Sequence, residues 1–264
     1  MPGWKEQLQM MGKLNPAAMH QRQTGFTLIE ISIVLFILAL VLGGLLPTLS
    51  SQVEQRHLTE TRARLDEIKE ALIGYAIING RLPCPASSST NGKEDPTSGT
   101  GSCTHPHDNN SYVPAATLGL SGTDSSGLIE DAWGNPIRYG VADGSSNAFT
   151  KSISGIGISN ISSSTIANLD VCSSASGATS SSCSSSYQLT NNAVAVIYST
   201  GKNGGSGGTG ADETENPNIN STDSDHVYVS HDISATSGNA FDDLVTWLSP
   251  NVLVNRMVSA GKLP

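Results

Sequence analysis

The sequence predicts an α+β fold: one long N-terminal helix, packed through its second half on a small antiparallel sheet, with long loops clamped by disulfides. Three observations predict it. Residues 31–53 carry no charge, and from Val53 to Tyr75 apolar residues recur at helical spacing. Two downstream runs, residues 193–199 and 226–230, have the β-branched and aromatic composition of strands. The chain between the helix and those runs is rich in Gly and Ser and holds all 4 cysteines.

The helix begins after a polar leader, residues 1–25, that carries Lys5, Lys13 and Arg22. Gly25-Phe26-Thr27-Leu28-Ile29-Glu30 then places one carboxylate at the mouth of the apolar run of residues 31–46. A helix of about 20 mainly apolar residues can span a bilayer, because its backbone polar groups are satisfied internally. Glu30 is costly to desolvate there unless a cation joins it. A secretory signal has a shorter apolar core, of roughly 7–15 residues, with its cleavage site after the core. Here the Gly precedes the run. A plain signal anchor, with the leader cations on the cytoplasmic side, is the competing reading.

These six residues resemble the signature of the type IV pilin and type II secretion pseudopilin superfamily, although the leader is longer than the shortest leaders of that family. The resemblance implies a pilin-like fold and cleavage by an inner-membrane prepilin peptidase between Gly25 and Phe26, with methylation of the new Phe26 amine. It also implies a single-pass protein of the bacterial inner membrane, its head in the periplasm, that moves into a pilus or pseudopilus filament. Other pilin or pseudopilin subunits and an inner-membrane assembly platform are the expected partners. Cleavage would create a cation four residues ahead of Glu30, so the carboxylate of one subunit could pair with the Phe26 amine of its neighbour. The chain then divides into a leader (1–25), an assembly half of the helix (26–50), an amphipathic half (51–80) and an extracytoplasmic head (81–264).

Gly43, Gly44 and Pro47 predict close packing and a kink in the assembly half. Val53, Leu58, Leu65, Ile68, Leu72, Ile73 and Tyr75 form the predicted core stripe of the second half, and Asn79-Gly80 ends it. The formal net charge of -9 and the lack of a basic stripe argue against a nucleic-acid groove. Enzymatic motifs are missing too: no nucleophile elbow, zinc-protease helix or Cys-x-x-Cys pair occurs. The glycines after Lys202 match no phosphate loop. The chain therefore reads as a non-enzyme.

Cys84, Cys103, Cys172 and Cys183 make an even count in a domain that the leader topology puts in an oxidising compartment, which favours disulfides. Three pairings are possible, of which the two local ones, Cys84 with Cys103 and Cys172 with Cys183, are preferred. His105 and His107 near Cys103 match no zinc-finger spacing, and His107 and Asp108 read as exposed loop residues. Trp133-Gly134-Asn135-Pro136 is a turn with Trp133 as a core anchor, similar to a stretch of the major pseudopilins except that Ala132 replaces their proline. The Ser/Gly-rich residues 145–186 read as a turn-laden insertion.

No cofactor is required: the loop between the two strands reads first as an acidic solvated turn, with a calcium site as the alternative. Asp212, Glu213, Glu215, Asp223 and Asp225 supply hard oxygens, and the resemblance implies the same, since several major pseudopilins bind calcium in a comparable late loop. Asp242-Asp243 reads as a cap or turn, with a place in that calcium site as the alternative. Phe241 and Trp247 are packing anchors, and Val252, Leu253, Met257 and Val258 predict a short last helix. The function read from these features is a minor pilin, a structural subunit of a type IV pilus-like filament. A type II secretion pseudopilin and a membrane-anchored adhesin or binding module are the alternatives.

Overall fold

The computed structural model describes residues 25–96, 101–219 and 225–263, with the backbone alone over 43–50. In chain order α1 (Leu28–Asn79) is followed by α2 (Ala115–Leu118), β1 (Arg138–Val141), α3 (Gly144–Lys151), β2 (Leu169–Cys172), β3 (Gln188–Ala193), β4 (Ala195–Ser199), α4 (Ala211–Glu215), β5 (Val227–Val229), β6 (Leu244–Leu248) and α5 (Pro250–Ser259). The chain forms two compact units, Met1–Ser51 and Gln52–Pro264. Helix α1 begins in the first and ends in the second, and it is a single helical element through Gly43, Gly44 and Pro47.

In the second unit, α1 buries Leu58, Thr61, Leu65, Ile68, Leu72 and Ala76, a face that advances by three or four residues at each step. Thr61 belongs to this face despite its hydroxyl, because its Oγ1 accepts a 3.1 Å hydrogen bond from the Ala132 N–H. Val53, expected in the stripe, is exposed. The helix stops at Gly80, whose φ of +70° is left-handed and whose N–H bonds the Ala76 carbonyl at 2.8 Å. Immediately beyond, Arg81 makes a forked pair with Glu94 at 2.7 and 2.8 Å. Glu94 also accepts from the Cys84 N–H at 3.1 Å and from the Tyr75 hydroxyl at 3.3 Å. Burial opposes the Glu94 charge, but Arg81 and the Cys84 amide outweigh it and hold this carboxyl below its usual range.

Two three-stranded sheets share the core, where the sequence predicts one. The first, in the order β1-β4-β6, is antiparallel throughout, with Arg138 opposite Tyr198 and Ala195 opposite Leu248. β4 is buried along its whole length, as a central strand covered on both faces must be. The second, β3-β2-β5, contains a parallel pair, β2 with β5. A parallel pair needs a long crossover, and here the chain makes β3, β4 and α4 before returning. β2 lies inside the stretch read as a turn-laden insertion, and Ile153, Ile161 and Leu169 of that stretch are fully buried. Its apolar patches are too short to show their pairing until β5 and β3 flank them.

Trp133 is half-buried and packs edge-on to His57, so the deepest aromatic anchors are Tyr139, Tyr198, Tyr228, Phe149 and Phe241. The Tyr139 hydroxyl donates to the Pro83 carbonyl at 3.1 Å, and that of Tyr198 to the Pro217 carbonyl at 2.7 Å. Helix α5 starts on a Ser249 cap with Pro250 in its first turn. It buries Leu253 and Met257, while Val252 and Val258 stay exposed.

Candidate functional site

The first unit presents a helix start without a polar face. Phe26, Leu28, Ile29, Leu35, Phe36 and Leu40 are all at least 60% exposed, and every other large apolar residue from Ile31 to Leu42 is exposed as well. A helix that is apolar on all sides is stable only when something other than water surrounds it. Among the described residues no helix is long and apolar enough to cross a membrane.

Thr27 and Glu30 form a reciprocal cap at this start. The Glu30 N–H donates to Thr27 Oγ1 at 3.3 Å, and Glu30 Oε2 accepts from the Thr27 N–H at 3.4 Å. This is the Thr-x-x-Glu capping box, with long bonds, and it aims the Glu30 carboxylate back toward Phe26. The sequence reading missed the box, although its Thr-x-x-Glu spacing is visible. Gly25 is exposed, and a Cβ built there meets nothing within 4 Å, so the folded chain itself does not require glycine at this position.

In the head, disulfides join Cys84 to Cys103 and Cys172 to Cys183. The calcium candidates separate. Asp212 accepts from the Ala175 N–H at 2.6 Å and from Asn239 Nδ2 at 2.8 Å, and it faces His231. Asp225 Oδ1 accepts from the Val227 N–H at 2.8 Å, Glu215 ends α4, and Asp223 lies outside the described residues. Glu213 alone meets further carboxylates, those of Asp242 and Asp243, with one oxygen of each within 4.8 Å of the others.

The Gly-rich loop after β4 makes this meeting possible. A Cβ at Gly201 would overlap Asp242, and one at Gly208 would overlap Glu213; both glycines have positive φ. Asn203 is held by both acids, its N–H on Asp242 Oδ2 at 3.2 Å and its Nδ2 on Glu213 Oε1 at 2.9 Å. Asn216 Nδ2 donates to Asp243 at 2.7 Å, whereas Asp242 Oδ1 is buried without a partner. Burial, with Glu213 close by, pushes the Asp242 carboxyl up to about 6. Burial and the neighbouring acids push Asp243 well above its ordinary value. Three carboxylates and an unused oxygen are a donor set that fits a hard cation such as calcium.

A second convergence lies across the head. His107, read as exposed, is 5% exposed and sits with His226 and Asp143. His105 instead pairs with Asp108 at 2.7 Å, and Cys103 is bonded to Cys84. The two imidazoles hold the Asp143 carboxyl well below the usual carboxylate range.

The class defined by these features is a chain with a capped, all-apolar N-terminal helix and a disulfide-bonded α/β head. Residues 20–46 match the family model of the prokaryotic N-terminal methylation motif, so the chain carries the prepilin-type motif of the type IV pilin and pseudopilin superfamily. That motif implies processing by prepilin peptidase and assembly with other pilin subunits. No curated protein and no solved structure matches the chain.

Proposed function

We propose that the chain is a minor pilin, a structural subunit of a type IV pilus-like filament. The observation that carries this reading is the helix start, in which exposed apolar residues surround a capped Glu30 directly after Gly25. Before assembly the bacterial inner membrane covers that surface as a single-pass helix, with the head in the periplasm. After cleavage, equivalent helices of neighbouring subunits cover it, on the assembly platform and then in the filament. Glu30 trades its weak bond to the Thr27 amide for the Phe26 ammonium of the next subunit, which makes burial of both charges tolerable. Contacts of this head-to-tail kind do not close and give an open helical filament.

A type II secretion pseudopilin is the second reading, favoured by Trp133-Gly134-Asn135-Pro136 and by the acidic group under the late loop. In either machine calcium at Glu213, Asp242 and Asp243 would offset most of the charge of the three carboxylates and fix the Gly-rich loop against β6. Mass spectrometry of the mature N-terminus, from cells with and without prepilin peptidase, tests the shared pathway. A peptidase-dependent start at methylated Phe26 is expected. Retention of residues 1–25 in both strains would overturn the reading and leave a membrane-anchored surface module.

A further inference from the structure

We propose that His107, Asp143 and His226 form a zinc site in the head. One donor atom from each lies within 4.8 Å of the other two. His107 Nε2 is 3.3 Å from Asp143 Oδ2, and His226 Nε2 is 3.0 Å from Asp143 Oδ1. Donors about 2.0–2.1 Å from a tetrahedral ion are about 3.3 Å apart, and each imidazole nitrogen already lies near that distance from one of the two Asp143 oxygens. The two imidazole rings are 4.4 Å apart between centroids and tilted by 43°, which places them side by side around the carboxylate.

The donors are held from three separate parts of the chain. His107 lies four residues after the Cys84–Cys103 bridge, and the preceding Pro106 carbonyl accepts from the Val141 N–H at 2.8 Å. Asp143 stands at the corner between β1 and α3, its Oδ1 also accepting from Asn168 Nδ2 at 2.8 Å. His226 opens β5; its N–H bonds the Ser180 carbonyl at 3.2 Å, inside the loop closed by Cys172–Cys183. His107 is thus held by β1 just after one disulfide and His226 by the loop that the other closes, which is the preorganisation a metal site needs.

The chemistry of the set selects the ion. Two imidazoles with one carboxylate suit zinc, whereas calcium and magnesium prefer all-oxygen shells. His107 is buried with its Nε2 turned to Asp143, so the ring is held at that nitrogen by a single 3.3 Å bond in the metal-free protein. A coordinate bond would hold it more firmly. His226 also lines an open polar cavity of about 380 Å³ with Asn168, Asp170 and Gln188. That cavity brings solvent to one member of the triad, His226, and Asp170 adds a second negative charge beside that ring. Bound zinc would staple the two disulfide loops to the β1–α3 corner.

Tag-free full-length protein in detergent, stripped with chelator, is titrated with Co²⁺ near neutral pH and then with Zn²⁺. Expected are one Co²⁺ per chain with the visible bands of a four-coordinate ion, and their loss on adding one equivalent of Zn²⁺. His226→Gln and Asp143→Asn should each weaken binding by on the order of 100-fold, since even outer-shell partners are worth 10–100-fold. Glu213→Gln should leave cobalt binding unchanged, which separates this site from the acidic group. A chelator-stripped wild type that takes up neither ion would overturn the proposal and leave a purely hydrogen-bonded triad. So would unchanged binding in both triad variants. If those variants fail to fold, X-ray absorption of the wild-type zinc adduct decides: two imidazole ligands support the site, and none refutes it.

Discussion

Replacing Glu94 by Ala should destabilise the head by about 3–5 kcal/mol, the cost of leaving one partner of a buried ion pair uncompensated. Both partners are largely shielded, Arg81 with 15% and Glu94 with 10% of its side chain exposed, so solvent does little to replace the lost contacts. The variant strands the Arg81 guanidinium and frees the Cys84 amide and the Tyr75 hydroxyl at once. For a domain of this size roughly 2–4 °C of melting temperature accompanies each kcal/mol, so a fall of about 6–20 °C is expected by circular dichroism. The pH dependence carries the same signature. Because the folded Glu94 carboxyl titrates below its ordinary value of 4.5, its contribution is fully present above that pH. It is lost as the pH falls through the folded pKa. Wild type should therefore lose stability in acid more steeply than Glu94→Ala. Replacing both partners by Met should recover much of the loss, because no lone charge remains. A drop under about 2 °C, or acid profiles of equal slope, would refute the reasoning.

Gly25→Ala should block processing and leave the head's melting temperature unchanged, because a Cβ there meets nothing; an immunoblot with normal mature protein contradicts it. Glu30→Ala should permit processing but reduce recovery in sheared filaments. Its loss of the capping box costs the isolated helix only about 0.5–2 kcal/mol, so equal recovery would count against the intersubunit pairing. Calcium should raise the melting temperature of wild type and not of Asp242→Asn. At a hundredfold excess over Kd the gain is about 2.7 kcal/mol, and no shift at millimolar calcium disposes of that site.

What the sequence makes legible is what lies close along the chain. The Gly25–Glu30 motif is contiguous, the α1 stripe repeats every three or four residues, and Gly80 follows the last helical residue. β4 and β5 coincide with the two strand-like runs. What escapes reading is created by long-range pairing. His107 and Asp143 are 36 residues apart, and Asp143 and His226 are 83 apart, so no local spacing signals their meeting. Glu213 reaches Asp242 across 29 residues because the Gly-rich loop folds over both. Composition reads that loop correctly as acidic and Gly-rich, but not which carboxylates share a centre. Thr61 escapes for a different reason: a hydroxyl in a helix stripe looks polar until the Ala132 amide arrives to satisfy it.

The placing of the two bridges governs how such a chain can mature. Each links cysteines that are near neighbours in sequence, 19 and 11 residues apart. Short loops close with little entropic penalty, so each thiol meets its own partner far more often than a cysteine of the other pair. The second pair also flanks the start and end of one short segment that is synthesised well after the first pair is complete. If the chain is exported in order into an oxidising space, as the proposed periplasmic head requires, the first bridge can form while the second pair is still unexposed. Correct pairing is then written into the timetable of export, and a shuffling catalyst has little to correct.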